Sequence, residues 1–153
     1  MIIPQPPAAG PDPGQPGHYA HHDWLEASVE ALDNVLTAEP VWIAPTLGNG
    51  WLAYGAPFEP PGYYKDSNGF VHLRGLIKSG TVGTGTTGTV WTMPAGYIPP
   101  YTHLTITAAS GGAYTARVDV VNDGAVRVMA LGTTATNAFV SLAMPPYWAP
   151  DAA

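Results

Sequence analysis

"YYKDSNGFVHLRGLIKSG", Tyr63 to Gly80, reads as a tight β-hairpin. Its centre, Asp66-Ser67-Asn68-Gly69, is a run of residues that tolerate positive φ or bond their own backbone, which is what a short reversal needs. Beyond the turn, Val71 and Leu73 alternate with Phe70, His72 and Arg74, the period of two that marks a strand buried on one face. A second hairpin repeats the pattern downstream. Asn122-Asp123-Gly124 is its turn, and Val126 and Val128 then alternate with Arg127 and Met129.

The same rhythm of short strands and turns extends over residues 40–153. Strands are predicted near 41–44, 51–55, 62–66, 70–77, 88–93, 102–108, 113–121, 125–130 and 137–144. Composition agrees: 18 Gly and 17 Pro supply turns, and only 10% of the 153 residues are charged, against roughly 25% in ordinary soluble domains. The fold class expected is mainly β, an antiparallel β-sandwich preceded by one short helix and an extended Pro-rich arm. So little charge also points to surface hidden in an oligomer. Without cysteine there is no disulfide framework and no thiolate metal site.

Residues 1–22 are read as that arm. "MIIPQPPAAGPDPGQPG" carries six prolines and has no fold of its own, so it is either a free tail or a peptide lying along another protein. It has neither a basic start nor a long apolar run, so no secretory leader is expected. A helix is predicted over 23–39, with Asp23 and Glu26 as a capping box and Pro40 as the stop. Leu25, Val29, Leu32 and Leu36 form a heptad seam on it. Two heptads do not hold a coiled coil alone. They suit either a stem on the symmetry axis of an oligomer or a helix lying on its own β-domain.

All of the net charge, −6, lies on the first forty residues, which hold Asp12, Asp23, Glu26, Glu30, Asp33 and Glu39 and no Lys or Arg. An acidic arm facing a neutral domain is the wrong balance for nucleic acid. It fits docking on a basic protein surface, or plain solvation. No apolar run approaches the ~20 residues of a membrane span, so membrane insertion is not expected.

Motifs with chemical meaning fail on their context. "GTGTTG", Gly83–Gly88, spells the dinucleotide fingerprint, but a strand follows it where the motif needs a helix N-terminus for the pyrophosphate. No Gly-Lys-Ser/Thr and no Gly-x-Ser-x-Gly occurs. Glu59, Asp66, Asp119 and Asp123 sit at turns or strand edges with no spacing that pairs them for hydrolysis. Neither enzymatic activity nor a cofactor is expected. "HYAHHD" gathers His18, His21, His22 and Asp23; the ordinary role is helix packing, and His18 and His22 are the only candidates for a metal, shared across copies on an axis.

Aromatic residues remain. Several stand beside prolines at loop ends, where rings either complete a core or interface or stack on the C–H faces of sugars while neighbouring polar groups take the hydroxyls. The candidate ligand-binding residues are Trp51, Tyr54, Tyr101 and Tyr114, with Asp66 and Arg74.

"PPGYYKDSNGFVHLRGLIKSG", "VWTMPAGYIPP", "VNDGAVRV" and "FVSLAM" together resemble the C-terminal head domain of phage tail fibre and receptor-binding proteins. The shared pattern falls on Tyr63, Lys65, Asp66, Gly69, Val71, Leu73 and Gly75, then Met93, Pro94, Gly96, Tyr97 and Pro99. "PGQPGHYAHHDWLEASVEALD" is similar to an N-terminal anchoring segment of such proteins from actinobacterial siphophages. The resemblance implies a homotrimeric β-sandwich head on a short helical stem, located in the virion tail. Residues 1–40 would dock on other tail or baseplate proteins, and the head would contact host surface glycan. No long shaft separates helix and head, so the expected place is a compact tip or baseplate subunit. The alternative is a purely structural tail-tip or capsid decoration protein without a receptor; a depolymerase is a third reading.

Overall fold

The computed structural model describes residues 18–37, 39–80, 87–110, 114–130 and 138–152. The chain divides into two units, Met1–Pro40 and Val41–Ala153, and each is described by itself.

Among the described residues the first unit carries one helix, α1, His18–Thr37. It starts five residues earlier than the capping box at Asp23 predicts, so His18–His22 are helical and not part of an extended arm. Nothing in "HYAHH" breaks a helix, and once a helix is nucleated each further residue adds a hydrogen bond. Asp23 is therefore interior, and no acid occupies the first turn. Ser28 is accommodated mid-helix by donating its hydroxyl to the Trp24 carbonyl at 2.7 Å. Of the heptad seam, Leu25, Val29 and Leu32 are exposed, Val29 at 65%; the side chain of Leu36 lies outside the described residues. Among the described residues no helix is long and apolar enough to cross a membrane. Residues 1–17, where most of the Pro-rich arm falls, are also outside them.

Among its described residues the second unit is all β. In chain order its strands are β1 Leu52–Ala53, β2 Gly62–Lys65, β3 Phe70–Arg74, β4 Leu76–Lys78, β5 Thr87–Thr92, β6 His103–Ser110, β7 Thr115–Val120, β8 Ala125–Ala130, β9 Phe139–Ser141 and β10 Tyr147–Trp148. They form two antiparallel sheets. One has seven strands in the order β1-β4-β9-β6-β7-β8-β5, the other three in the order β10-β3-β2. β6 helps to curl the larger sheet, because it pairs with β7 through His103–Ala108 and then with β9 through Ala109 and Ser110. The core joins both sheets: Val71, Leu73 and Tyr147 of the small one pack in one cluster with Val118, Val126, Val128 and Val140 of the large one.

The strand expected over 70–77 is divided at Gly75, and its halves enter different sheets. Gly75 has φ +98°, and a Cβ there would run into the Pro60 carbonyl, so only glycine makes this bend. The Gly75 carbonyl accepts from Leu142 N–H at 2.9 Å, and Leu76 N–H donates to the Glu59 backbone carbonyl at 3.2 Å. Both sides of the switch are thereby tied down.

Other departures have local causes. Residues 41–44 make only the bridge Ile43↔Tyr63, since Pro40 and Pro45 flank the segment and lack donors. β9 covers only the middle of 137–144, of which Asn137 is outside the described residues. β5 carries a register shift between Thr89 and Trp91, and this bulge lets two consecutive residues, Val90 and Trp91, both be buried. The "GTGTTG" loop lies outside the described residues as far as 86; Thr87 and Gly88 open β5.

Candidate functional site

The β2–β3 hairpin closes as its sequence implies. Gly69 N–H donates to the Asp66 carbonyl at 3.1 Å, and Asp66 N–H to the Phe70 carbonyl at 2.9 Å. Gly69 takes φ +85°. The Asp66 carboxylate accepts from the N–H groups of Asn68 and Phe70, each at 2.9 Å, and its other oxygen lies 3.0 Å from His72 Nε2. The hydrogen bond from His72, helped by those two N–H groups, holds the Asp66 carboxyl below its usual range despite partial burial.

Alternation on β3 sends His72 and Arg74 to the face opposite the core, where they continue a ladder of rings. His72 stacks on Tyr64 with centroids 4.6 Å apart and planes 8° from parallel. Tyr64 meets Trp42 edge-on at 4.6 Å, and the Arg74 guanidinium lies 4.1 Å over the Trp42 ring. Arg74 Nε is buried with no hydrogen-bond partner among the described residues.

The other edge of β3 receives the C-terminal segment. Tyr147 pairs with Val71 and Trp148 with Phe70, so Tyr147 points into the core while Trp148 faces outward, half exposed. Tyr147 donates its hydroxyl to the Tyr97 carbonyl at 3.0 Å, and burial pushes its phenol well above the usual range. Ala149 N–H donates to the Gly69 carbonyl at 3.0 Å. Lys65 ties three segments together, its Nζ donating to the Gly96 carbonyl at 3.1 Å and to Asp151 Oδ1 at 2.7 Å. Between the turn and this segment lies an open cleft of about 520 Å³, bordered by Lys65, Asp66, Asn68, Tyr97, Trp148 and Asp151 among others. That volume is within the ~300–1,000 Å³ of small-ligand sites.

The six residues expected at a ligand site do not converge. Asp66 borders the cleft, and Arg74 lies at the far end of β3 from the turn. Trp51 is only 2% exposed, its indole packed where any side chain at Gly80 would collide with it. It is a core residue, which corrects its reading as a surface ring. Tyr54 belongs to a separate group with Phe58 and Phe139, under the Lys78 ammonium at 5.0 Å. Tyr101 and Tyr114 are 81% and 90% exposed but stand at opposite ends of the β6–β7 pair, before His103 and beside Ala109. Trp148, Lys65 and Asp151 are not among the ligand residues expected from the sequence. "PPYWAPD" held the one available signal, two rings side by side of which an extended chain can bury only one.

Three of the four acids weighed for hydrolysis each have a basic partner: Asp66 with His72, Asp123 with Arg127 at 3.1 Å, and Asp119 with Arg117. The last pair is bidentate, 2.7 Å on both arms, and the bond to Asp119 raises the guanidinium further. Among the described residues no group of three or more His, Cys, Asp or Glu stands ready for a metal. The side chains of His18 and His21 are outside that set.

Two solved structures share this architecture. The receptor-binding protein gp15 of Listeria phage PSA matches with a TM-score of 0.62 and 22% identity, over 86% of this chain and 77% of that one. The receptor-binding head domain of the lactococcal phage bIL170 matches with a TM-score of 0.51 and 18% identity, over 71% of this chain and 99% of that one. No protein-family model matches, and no curated protein does. Identities this low carry the path of the chain and not the roles of residues. The β unit of this chain has the fold of phage receptor-binding head domains.

Proposed function

We propose that this protein is a virion tail subunit, at the tail tip or baseplate, whose β unit attaches the particle to a saccharide on the host cell surface. It works by binding and not by turnover. The observation that carries this reading is the shared fold with two phage receptor-binding proteins. The sequence motifs of the hairpin and of "VWTMPAGYIPP", which resemble those of phage head domains, support it as well.

The working assembly is a homotrimer. Supporting this, α1 carries the apolar seam Leu25, Val29 and Leu32 exposed along one side, the pattern of a stem that other copies cover. On the β unit, Leu104 and Ile106 stand on the outward face of β6, 58% and 68% exposed, which is unusual for apolar residues inside a sheet. Residues 1–40 dock on the tail. Adsorption measures the central claim: the purified full chain, added in excess, should lower attachment of phage carrying it to host cells. Unchanged attachment at saturating protein would leave a purely structural role.

A further inference from the structure

The cleft beside the β2–β3 turn has features the fold does not require. Trp148 contributes to a strand of two residues and leaves about half of its surface in water, and its indole N–H bonds no group among the described residues. Its position is nevertheless fixed. A Cβ at Gly69 would come within 2.9 Å of Trp148 Nε1, so the glycine admits the ring as well as the turn, and the Ala149–Gly69 hydrogen bond holds the strand beside it. Phe70, paired with Trp148 across the sheet, is also exposed. A rigid, half-exposed indole over a polar cleft is a platform.

The polar groups divide into those already committed and those free. The Asp66 carboxylate is used by Asn68, Phe70 and His72. The Lys65 ammonium is used by Gly96 and Asp151. Free to meet a ligand are the exposed Ser67 hydroxyl, the Asn68 carboxamide, the second oxygen of the almost fully exposed Asp151, and the indole N–H. These are neutral donors and acceptors with one carboxylate. Two acids, Asp66 and Asp151, face one base, Lys65, so the cleft repels anions.

We infer that this cleft binds a pyranose, neutral or carrying an ammonium group, with its C–H face on Trp148 and its hydroxyls on Asn68, Ser67 and Asp151, and that it rejects a phosphate-bearing polyol. This rests on the reading of the β unit as a receptor-binding head and names the ligand class and place. A single copy binds weakly, and several copies on one particle supply the strength by raising the effective concentration.

The test uses the ¹⁵N-labelled full chain, titrated separately with methyl α-glucopyranoside, methyl α-galactopyranoside, glucosamine and sn-glycerol 3-phosphate. At least one sugar should move the Trp148 indole resonance and the Asn68 and Gly69 amides, saturating in the millimolar range. Trp148→Ala should remove that resonance, and with it the sugar-dependent shifts, while leaving the rest of the spectrum dispersed. Asn68→Ala, which keeps the backbone bond to Asp66, should weaken binding severalfold. Glycerol phosphate should move none of these signals. Shifts with glycerol phosphate alone, shifts at Asn68 and Gly69 that survive Trp148→Ala, or no sugar response up to ~50 mM would each overturn the assignment. The two readings separate in the adsorption assay. A Trp148→Ala chain that blocks attachment as well as the parent sinks the cleft and leaves the receptor reading standing. A parent chain that shows the sugar shifts but does not block attachment sinks the receptor reading and keeps the cleft.

Discussion

Asp66 shows how much a single side chain settles. Its carboxylate closes the hairpin through two backbone N–H groups and steadies His72, which in turn stacks on Tyr64. Asp66→Ala should therefore cost roughly 1–3 kcal/mol, since the two N–H groups lose a charged acceptor, read as a lower midpoint in urea unfolding. The pH dependence has a definite sign. The folded carboxyl titrates below its unfolded value of about 3.9, so its contribution is complete above that value and is lost as pH falls through the lower folded one. The parent should thus lose stability below about pH 4 more steeply than the Asp66→Ala chain; parallel acid profiles would show that the bonds to Asp66 carry no net stability. The sequence marked Asp66 as a turn residue with a free acid to offer a ligand. The first half was legible from Asp-Ser-Asn-Gly, because turn chemistry is local. The second half was not, because whether a carboxylate is already spent depends on His72 coming across the strand pair. The same reasoning separates Trp51 from Trp148. Both stand beside turn residues, and only the tertiary contact with Gly80 places the first indole in the core.

At the scale of elements, the legible strands were those with enough length to show a period. β7 and β8 came out close to their predicted limits, as did the faces of β3, where Val71 and Leu73 are buried. β1, β9 and β10 have two or three residues each, too few for any alternation to register, and β10 escaped notice although it carries Trp148. The apparent single strand over 70–77 hid the switch between sheets. Periodicity continues smoothly across Gly75, so only the glycine itself hinted at a bend. Gly75→Ala tests whether the switch is as constrained as its geometry implies. The positive φ alone should cost roughly 1–3 kcal/mol, and the Pro60 carbonyl must also move, so the urea midpoint should fall clearly without change in the fold. A substitution that proves neutral would mean the β3–β4 junction relaxes freely. In the helix, the start was misplaced because a capping box is a local preference, whereas helix propagation into His18–His22 is cooperative.

The whole molecule combines an acidic N-terminal unit with an electrically balanced β unit, and the proposed function gives each its own task. Among the described residues, the core cluster of the β unit is drawn from Trp51 to Ala149. A chain beginning at Val41 should therefore fold, remain soluble and unfold cooperatively. Within the full chain, Leu32→Asp places a charge on the exposed seam of α1. Two heptads contribute little by themselves, so it should loosen the stem while sedimentation still finds the β units associated; a monomeric parent chain at micromolar concentration would refute the trimer outright. The anchoring claim is tested on the particle. Residues 1–40 hold the whole net charge of −6, and charge contacts made by such a unit on a basic surface weaken with salt. Phage assembled with the Val41–Ala153 chain in place of the full protein should lack the subunit, while full-length protein should be incorporated and released more readily at high ionic strength. The shortened chain should still compete with intact phage for host cells, because the cleft and its walls lie wholly within it. If the shortened chain unfolds, α1 belongs to the core of the β unit. If it joins particles as well as the parent does, the anchor is on the β unit, and the acidic segment serves something other than attachment to the tail.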